Sequence, residues 1–144
     1  MTVPNPATAN PLIEWLPNLM TGIGVIDSQH KGIAAILDEI REGINEGQGQ
    51  KAESQGFAKL IESTIEHFRT EESLMEEHDY HGKDHHARIH VMLIGMLEYY
   101  LEKYHKDQNA SNADLLSFLR DWLIEHILID DKPFGDFLLA KGVA

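Results

Sequence analysis

The sequence predicts an all-α protein: an antiparallel up-down-up-down four-helix bundle with an irregular N-terminal arm and a short C-terminal helix. Three observations carry that expectation. Apolar residues recur at steps of three and four along four long segments, the period of a helix with one buried face. Short glycine-containing or polar stretches separate those segments, which favours antiparallel neighbours in a bundle. No alternation of Val, Ile and Thr argues for strands.

Residues 1 to about 20 form the arm, because Pro4, Pro6, Pro11 and Pro17 deny that stretch a continuous helix. Leu12, Ile13, Trp15, Leu16 and Leu19 give its later part an apolar surface to lay on the bundle, which occupies 21–144 of the same single domain. The first helix is expected from an Asp27 N-cap to about Asn45, with Ile26, Ile33, Leu37, Ile40 and Ile44 in its stripe. Gly47 and Gly49 break the chain. A second helix over about 52–78 places Phe57, Leu60, Ile61, Thr64, Phe68, Leu74 and Met75 inward. After a turn at Asp79-Tyr80-His81-Gly82, a third over about 84–105 carries Leu93, Leu97, Tyr100 and Tyr104. Following a polar loop with Ser111 or Asn112 as cap, the fourth presents Leu115, Leu119, Trp122 and Ile129 and stops before Pro133. Phe134 to Ala140 makes the short tail helix.

Composition removes several function classes. With 12 basic and 24 acidic residues the formal net charge is −12, which opposes long-range attraction to nucleic acid or an anionic membrane. The absence of cysteine excludes disulfides and thiolate chemistry. The first basic side chain is Lys31 and the opening lacks the apolar run of a signal peptide, so a soluble cytoplasmic protein is the expectation.

The apolar stripes are interrupted in one consistent way. His30 lies on the first stripe, His67 and Glu71 on the second, His86 and His90 on the third, and His126 on the fourth. Polar groups buried without partners cost several kcal/mol each. A transition metal held in common recovers that cost, and every one of the four helices offers at least one imidazole at a similar depth. His86 and His90, four apart, share a helix face and form a chelating pair, whereas Gly82 separates His81 from His85. His85 falls on an apolar face with Ile89, Met92 and Met96, so periodicity alone does not exclude it. Glu72 belongs to a stripe pointing elsewhere. His78, His81 and His105 read as surface residues near helix ends. At the fourth helix, regular geometry of roughly 100° per residue puts Asp130 on the His126 face and Asp131 about 140° away. An unwound turn before Pro133 can bring Asp131 inward instead, and spacing leaves the two open.

The segments Ile26-Asp27-Ser28-Gln29-His30, His67-Phe68-Arg69-Thr70-Glu71-Glu72, His86-Ala87-Arg88-Ile89-His90 and His126-Ile127-Leu128-Ile129-Asp130-Asp131, in that order, closely resemble the hemerythrin family, its single-domain bacterial members in particular. The likeness spans roughly Trp15 to Phe137 and departs from the family in the turn, where Tyr80-His81 stands for a frequent Tyr-Pro. It selects Asp131 over Asp130. The resemblance implies two non-haem irons, one held by His86, His90 and His126, the other by His30 and His67, with Glu71, Asp131 and an oxo or hydroxo group bridging them. Two octahedral ions offer about twelve positions, and this set fills all but one, on the two-histidine iron. The implied function is reversible O2 binding for storage, delivery or buffering. Five neutral imidazoles against two carboxylates, with no Glu-x-x-His pair among the seven residues, separate the site from the carboxylate-rich di-iron enzymes. An oxygen or redox sensor acting through a separate partner, a di-iron peroxidase or oxidase, and iron or zinc buffering are the competing readings.

Overall fold

The computed structural model of the chain describes residues 13, 17–106 and 112–144. A 3-10 turn at Pro17–Leu19 leads into helices α1 (Gly24–Asn45), α2 (Gln50–Glu77), α3 (Lys83–Lys106) and α4 (Asn112–His126). A π-helical turn, Ile127–Asp131, then joins α4 directly to α5 (Lys132–Ala140). No strand occurs among the described residues, and none of their helices is long and apolar enough to cross a membrane. The all-α four-helix architecture expected from the apolar period is the one observed.

Each helix folds as its stripe dictates. Ile33, Leu37 and Ile40 of α1, Phe57, Leu60 and Phe68 of α2, Leu93 and Leu97 of α3, and Leu116, Leu119 and Leu123 of α4 form one apolar core. Ile13 and Leu19 are buried in it too; Leu12, Trp15, Leu16 and Ser111 lie outside the described residues, as does the side chain of Tyr104. Close backbone approaches join α1 to α2, α2 to α3 and α1 to α4. The α3–α4 seam is looser and holds an apolar groove of about 590 Å³ that reaches inward to Leu93, Trp122 and His126. A second apolar cluster, Ile23, Ile26, Met75, Phe134 and Leu138, closes the end of the bundle at which α5 packs.

Three local expectations are corrected. The first helix begins at Gly24, not at an Asp27 cap. Asp27 sits one turn inside, and its carboxylate instead accepts from the Thr21 backbone N–H at 2.8 Å, the Thr21 hydroxyl at 2.7 Å and the Gly22 N–H at 3.1 Å. It thus folds the entering chain back onto the helix. The fourth helix ends at His126, but Pro133 is not what ends it, because the π turn carries the helical path on into α5. The proline stands in the first turn of α5, where its missing N–H costs least. Ile129, expected on the inner stripe, is 62% exposed because the π turn shifts the register by one residue.

Elsewhere sequence and structure agree in physical detail. Gly47 and Gly49 take positive φ values of 67° and 94° in the α1–α2 turn. Helix α2 ends with Asp79 in the left-handed region at φ 52°, the Tyr80 N–H bonded to the Met75 carbonyl at 2.9 Å and the Asp79 N–H reaching that of Glu76 at 3.4 Å. That is a Schellman-type stop, with Tyr80 turned back into the second cluster beside Met75.

Candidate metal centre

All seven expected residues converge. His30, His67, Glu71, His86, His90, His126 and Asp131 are each 4% exposed or less. Their inner atoms form two groups, each with every ligand atom within 4.8 Å of the others: Glu71, His86, His90, His126 and Asp131 in one, His30, His67, Glu71 and Asp131 in the second. The carboxylates of Glu71 and Asp131 belong to both. Asp131 faces the groups with different oxygens: Oδ2 lies 2.7 Å from His30 Nε2, Oδ1 lies 3.0 Å from His86 Nε2 and 3.2 Å from His126 Nε2. Glu71 Oε1 lies 3.2 Å from His67 Nε2 and 3.3 Å from His90 Nε2.

The π turn resolves the Asp130 and Asp131 alternative. A turn closed by i→i+5 bonds brings residues five apart onto one face, so His126 and Asp131 point inward together. Asp130, four residues on from His126, also approaches that imidazole, but from outside: the Nδ1–H of His126 donates to Asp130 Oδ2 at 2.8 Å. His85 is exposed while His86 is buried, which settles the earlier pairing in favour of His86. Of the other histidines, His81 is exposed and His78 half-buried; His105 has no described side chain.

Sequence reasoning missed the outer partners. The Nδ1–H of His67 donates to Gln29 Oε1 at 2.6 Å, and the Gln29 amide donates onward to the Thr70 hydroxyl at 3.0 Å. The Nδ1–H of His90 donates to Glu72 Oε2 at 3.2 Å, so the carboxylate read as pointing elsewhere stands behind a ring of the cluster. Gln29, Glu72 and Asp130 are the immediate sequence neighbours of His30, Glu71 and Asp131, and that adjacency was the available signal. These bonds also fix the tautomer. With Nδ1 protonated, the Nε2 lone pairs of His67, His90 and His126 face the centre, as metal ligation requires.

Nε2 of His30 and of His86 each pair with an Asp131 oxygen, but the other inward-facing atoms do not pair. Among the described residues, Nε2 of His67, His90 and His126 and both carboxylate oxygens of Glu71 find no hydrogen-bond partner, despite burial. Buried polar atoms are almost always paired. Several orphans meeting at one point therefore test the site for a cation, and the nitrogen and oxygen donors are those that suit first-row metals such as iron or zinc. The residues fit the group. Titration behaviour without a cation shows the same strain. Burial pushes the Glu71 carboxyl well above its ordinary range, reinforced by Asp131. Burial lowers His30 despite Asp131 nearby, and burial with the adjacent His86 and His126 holds His90 down to about 2. For His126 burial acts downward too, but Asp131 and Asp130 outweigh it and lift the imidazole to about 10. Asp131, although burial opposes its charge, stays well below the usual carboxylate range through His126, His30 and His67.

A four-helix bundle with seven inward-facing nitrogen- and oxygen-bearing side chains, split into two groups by shared carboxylates, defines a protein able to hold metal ions in its core. Residues 21–138 match the family model of the hemerythrin HHE cation binding domain. The chain is 31% identical over 122 residues to the bacteriohemerythrin of Pseudomonas aeruginosa (strain LESB58), covering 85% of this chain and 78% of that one. It is 32% identical over 120 residues to the bacteriohemerythrin of Methylococcus capsulatus, covering 83% and 91%. The crystal structure of a wild-type hemerythrin superposes with a TM-score of 0.78 at 28% identity, over 87% of this chain and 96% of that chain. The chain belongs to the hemerythrin family.

Proposed function

We propose that this protein binds O2 reversibly at a non-haem di-iron centre and is not an enzyme. His86, His90 and His126 would hold one iron, His30 and His67 the other, with Glu71 and Asp131 bridging. The observation that carries the reading is the division of the inner atoms, several of them orphaned, into two groups joined by those two carboxylates. When bound, two ferrous ions can together lend electron density to O2 and recover it on release. The chain's own residues do the rest. Gln29, Glu72 and Asp130 orient three of the imidazoles, as acceptors behind metal-bound histidines commonly do. Ile33, Leu37, Leu93, Leu97 and Trp122, none more than 8% exposed, wall the centre with apolar surface and keep water from competing for it. The two-histidine group has the smaller ligand set, and O2 entry is assigned to that side.

The donor set favours a carrier over an oxidising enzyme. Neutral imidazoles outnumber carboxylates, and anionic donors are what stabilise highly oxidised iron. Anaerobic, reduced, iron-loaded protein exposed to air is expected to gain a visible absorption band within mixing time and to lose it under argon over repeated cycles. Irreversible bleaching with turnover of an added reductant would replace the carrier reading by an oxidase or peroxidase. Zinc without iron in purified protein would replace it by metal buffering.

A further inference from the structure

Carboxylates and amides are different partners for an imidazole. Ionised Glu72 and Asp130 present only acceptor oxygens, so the ring nitrogen they face carries the proton whichever way they turn. Gln29 is two-faced, because its oxygen accepts and its nitrogen donates. Meeting His67 with the oxygen, it places the ring proton on Nδ1 and frees Nε2 for a metal. Meeting it with the nitrogen, it would place the proton on Nε2 and close that position.

The choice is made at Thr70. Its hydroxyl lies 3.0 Å from the Gln29 amide nitrogen and 3.1 Å from the Glu66 backbone carbonyl oxygen, one helical turn back. A carbonyl only accepts, and a hydroxyl has one proton to give. With that proton committed to Glu66, the Thr70 oxygen can only accept, and the Gln29 group facing it has to be the NH2. The amide oxygen is then the end left for His67 Nδ1, at 2.6 Å. A reversed amide would set its oxygen against the Thr70 hydroxyl, leaving one proton for two acceptors. The Glu66 carbonyl cannot turn to relieve this, since it belongs to the backbone of α2. Gln29 on α1 and Thr70 on α2 are both half-buried, and His67 is buried.

We propose that Thr70 is a positioning residue of the two-histidine group: accepting from the Gln29 amide while donating to the Glu66 carbonyl, it holds His67 in the tautomer whose Nε2 can bind metal. This rests on the di-iron reading above. Thr70 touches neither metal nor O2 and acts through Gln29. His90 and His126 need no such lock, because a carboxylate behind the ring has no donor face to exclude.

The test is a double-substitution cycle in the full-length protein. Thr70→Val keeps the shape and loses the hydroxyl, Thr70→Ser keeps the hydroxyl, and Gln29→Glu supplies an acceptor that needs no orienting. In metal-free protein with isotopically labelled histidine, nitrogen NMR at alkaline pH reads whether the His67 proton sits on Nδ1 or Nε2. Parent and Thr70→Ser are expected to show the Nδ1–H form, and Thr70→Val to raise the Nε2–H fraction about fivefold, the worth of one neutral hydrogen bond. In the Gln29→Glu protein, adding Thr70→Val should change nothing. Iron-loaded protein should follow the same order: Thr70→Val yields one iron of the pair to a chelator about fivefold faster, the other at the parent rate. A Thr70→Val protein with the parent's His67 spectrum and iron loss overturns the proposal. So does an equal response in the Gln29→Glu background, which would mean that Thr70 acts through the packing of α2 alone. A parent that takes up no pair of irons, with the His67 proton still answering to Thr70, overturns the di-iron reading and leaves the lock standing.

Discussion

The two halves of the cluster differ in what stands behind the histidines. In the three-histidine group, His90 leans on the Glu72 carboxylate and His126 on that of Asp130. In the two-histidine group, His67 leans on the neutral Gln29 amide, and Nδ1 of His30 has no partner among the described residues. The inner shells resemble each other and share Glu71 and Asp131; the outer shells do not. A carboxylate that accepts an imidazole N–H makes the ring a stronger donor and adds negative charge near the metal. An amide fixes the ring without adding charge. The difference teaches that the two groups are built unequally; under the di-iron reading proposed above, one suits tight retention and the other a ligand that comes and goes.

Removing what the halves share should have the largest effect. Asp131 offers one oxygen to each group, so Asp131→Ala is expected to abolish iron retention at both positions, read as metal per chain by elemental analysis. Retention of a full complement would show that the groups are independent and the comparison misdrawn. Next come the outer partners. Asp130→Asn and Glu72→Gln should each weaken iron retention against a competing chelator by about 10- to 100-fold. Asp130 should matter more, because its bond is 2.8 Å with the side chain 17% exposed, against 3.2 Å and 38% for Glu72. Gln29→Leu should cost less in retention and more in the speed of O2 release. Equal chelator sensitivity in all three variants would erase the distinction between the halves.

Much of this was legible in the sequence because helices make residue spacing into geometry. Three- and four-residue steps put Ile33, Leu37 and His30 on one face, and the same rule placed His67 with Glu71 and His86 with His90. What spacing could not supply was the irregular turn. From His126 onward, regular periodicity sends Asp130 inward and Ile129 into the core, whereas the π turn sends Asp131 inward and leaves Ile129 in solvent. Resemblance to a family selected Asp131 where periodicity left two candidates. The cap at Asp27 was misread for a related reason. An aspartate before an apolar stripe has the right chemistry for an N-cap, but the partners it takes, Thr21 and Gly22, lie upstream in a loop no periodicity describes.

Asp27 then separates folding from metal binding. Like the shared carboxylates it is buried, at 6% exposure, but its partners are neutral groups of Thr21 and Gly22. Asp27→Ala leaves those donors unsatisfied and should cost about 1 to 3 kcal/mol in denaturant unfolding. The loss should spread to α5, because Gly135 packs so tightly on Thr21 that a Cβ there would meet the Thr21 backbone oxygen at 3.0 Å. Iron per chain should stay at its parent value. A loss of iron equal to that of Asp131→Ala would mean that burial of a carboxylate near this end, and not ligation, governs retention.

The smallest effect belongs to a carboxylate with a full cation beside it. Glu76 accepts from the Lys83 ammonium across the α2–α3 turn, and that bond holds the Glu76 carboxyl below its ordinary range. Both groups are exposed, so solvent and salt screen the attraction. The sign follows from linkage: a folded-state value below the unfolded 4.5 gives a contribution present above that pH and lost as pH falls through the lowered value. Glu76→Gln should therefore shift the melting midpoint slightly at neutral pH, less in high salt and not at all in strong acid, with iron retention untouched. Charge is then not the variable that distinguishes this residue from Glu72 or Asp130. An anion acts on the centre only where burial keeps its field from water and an imidazole N–H carries it inward, and a Glu76→Gln protein that lost iron would break that argument at its root.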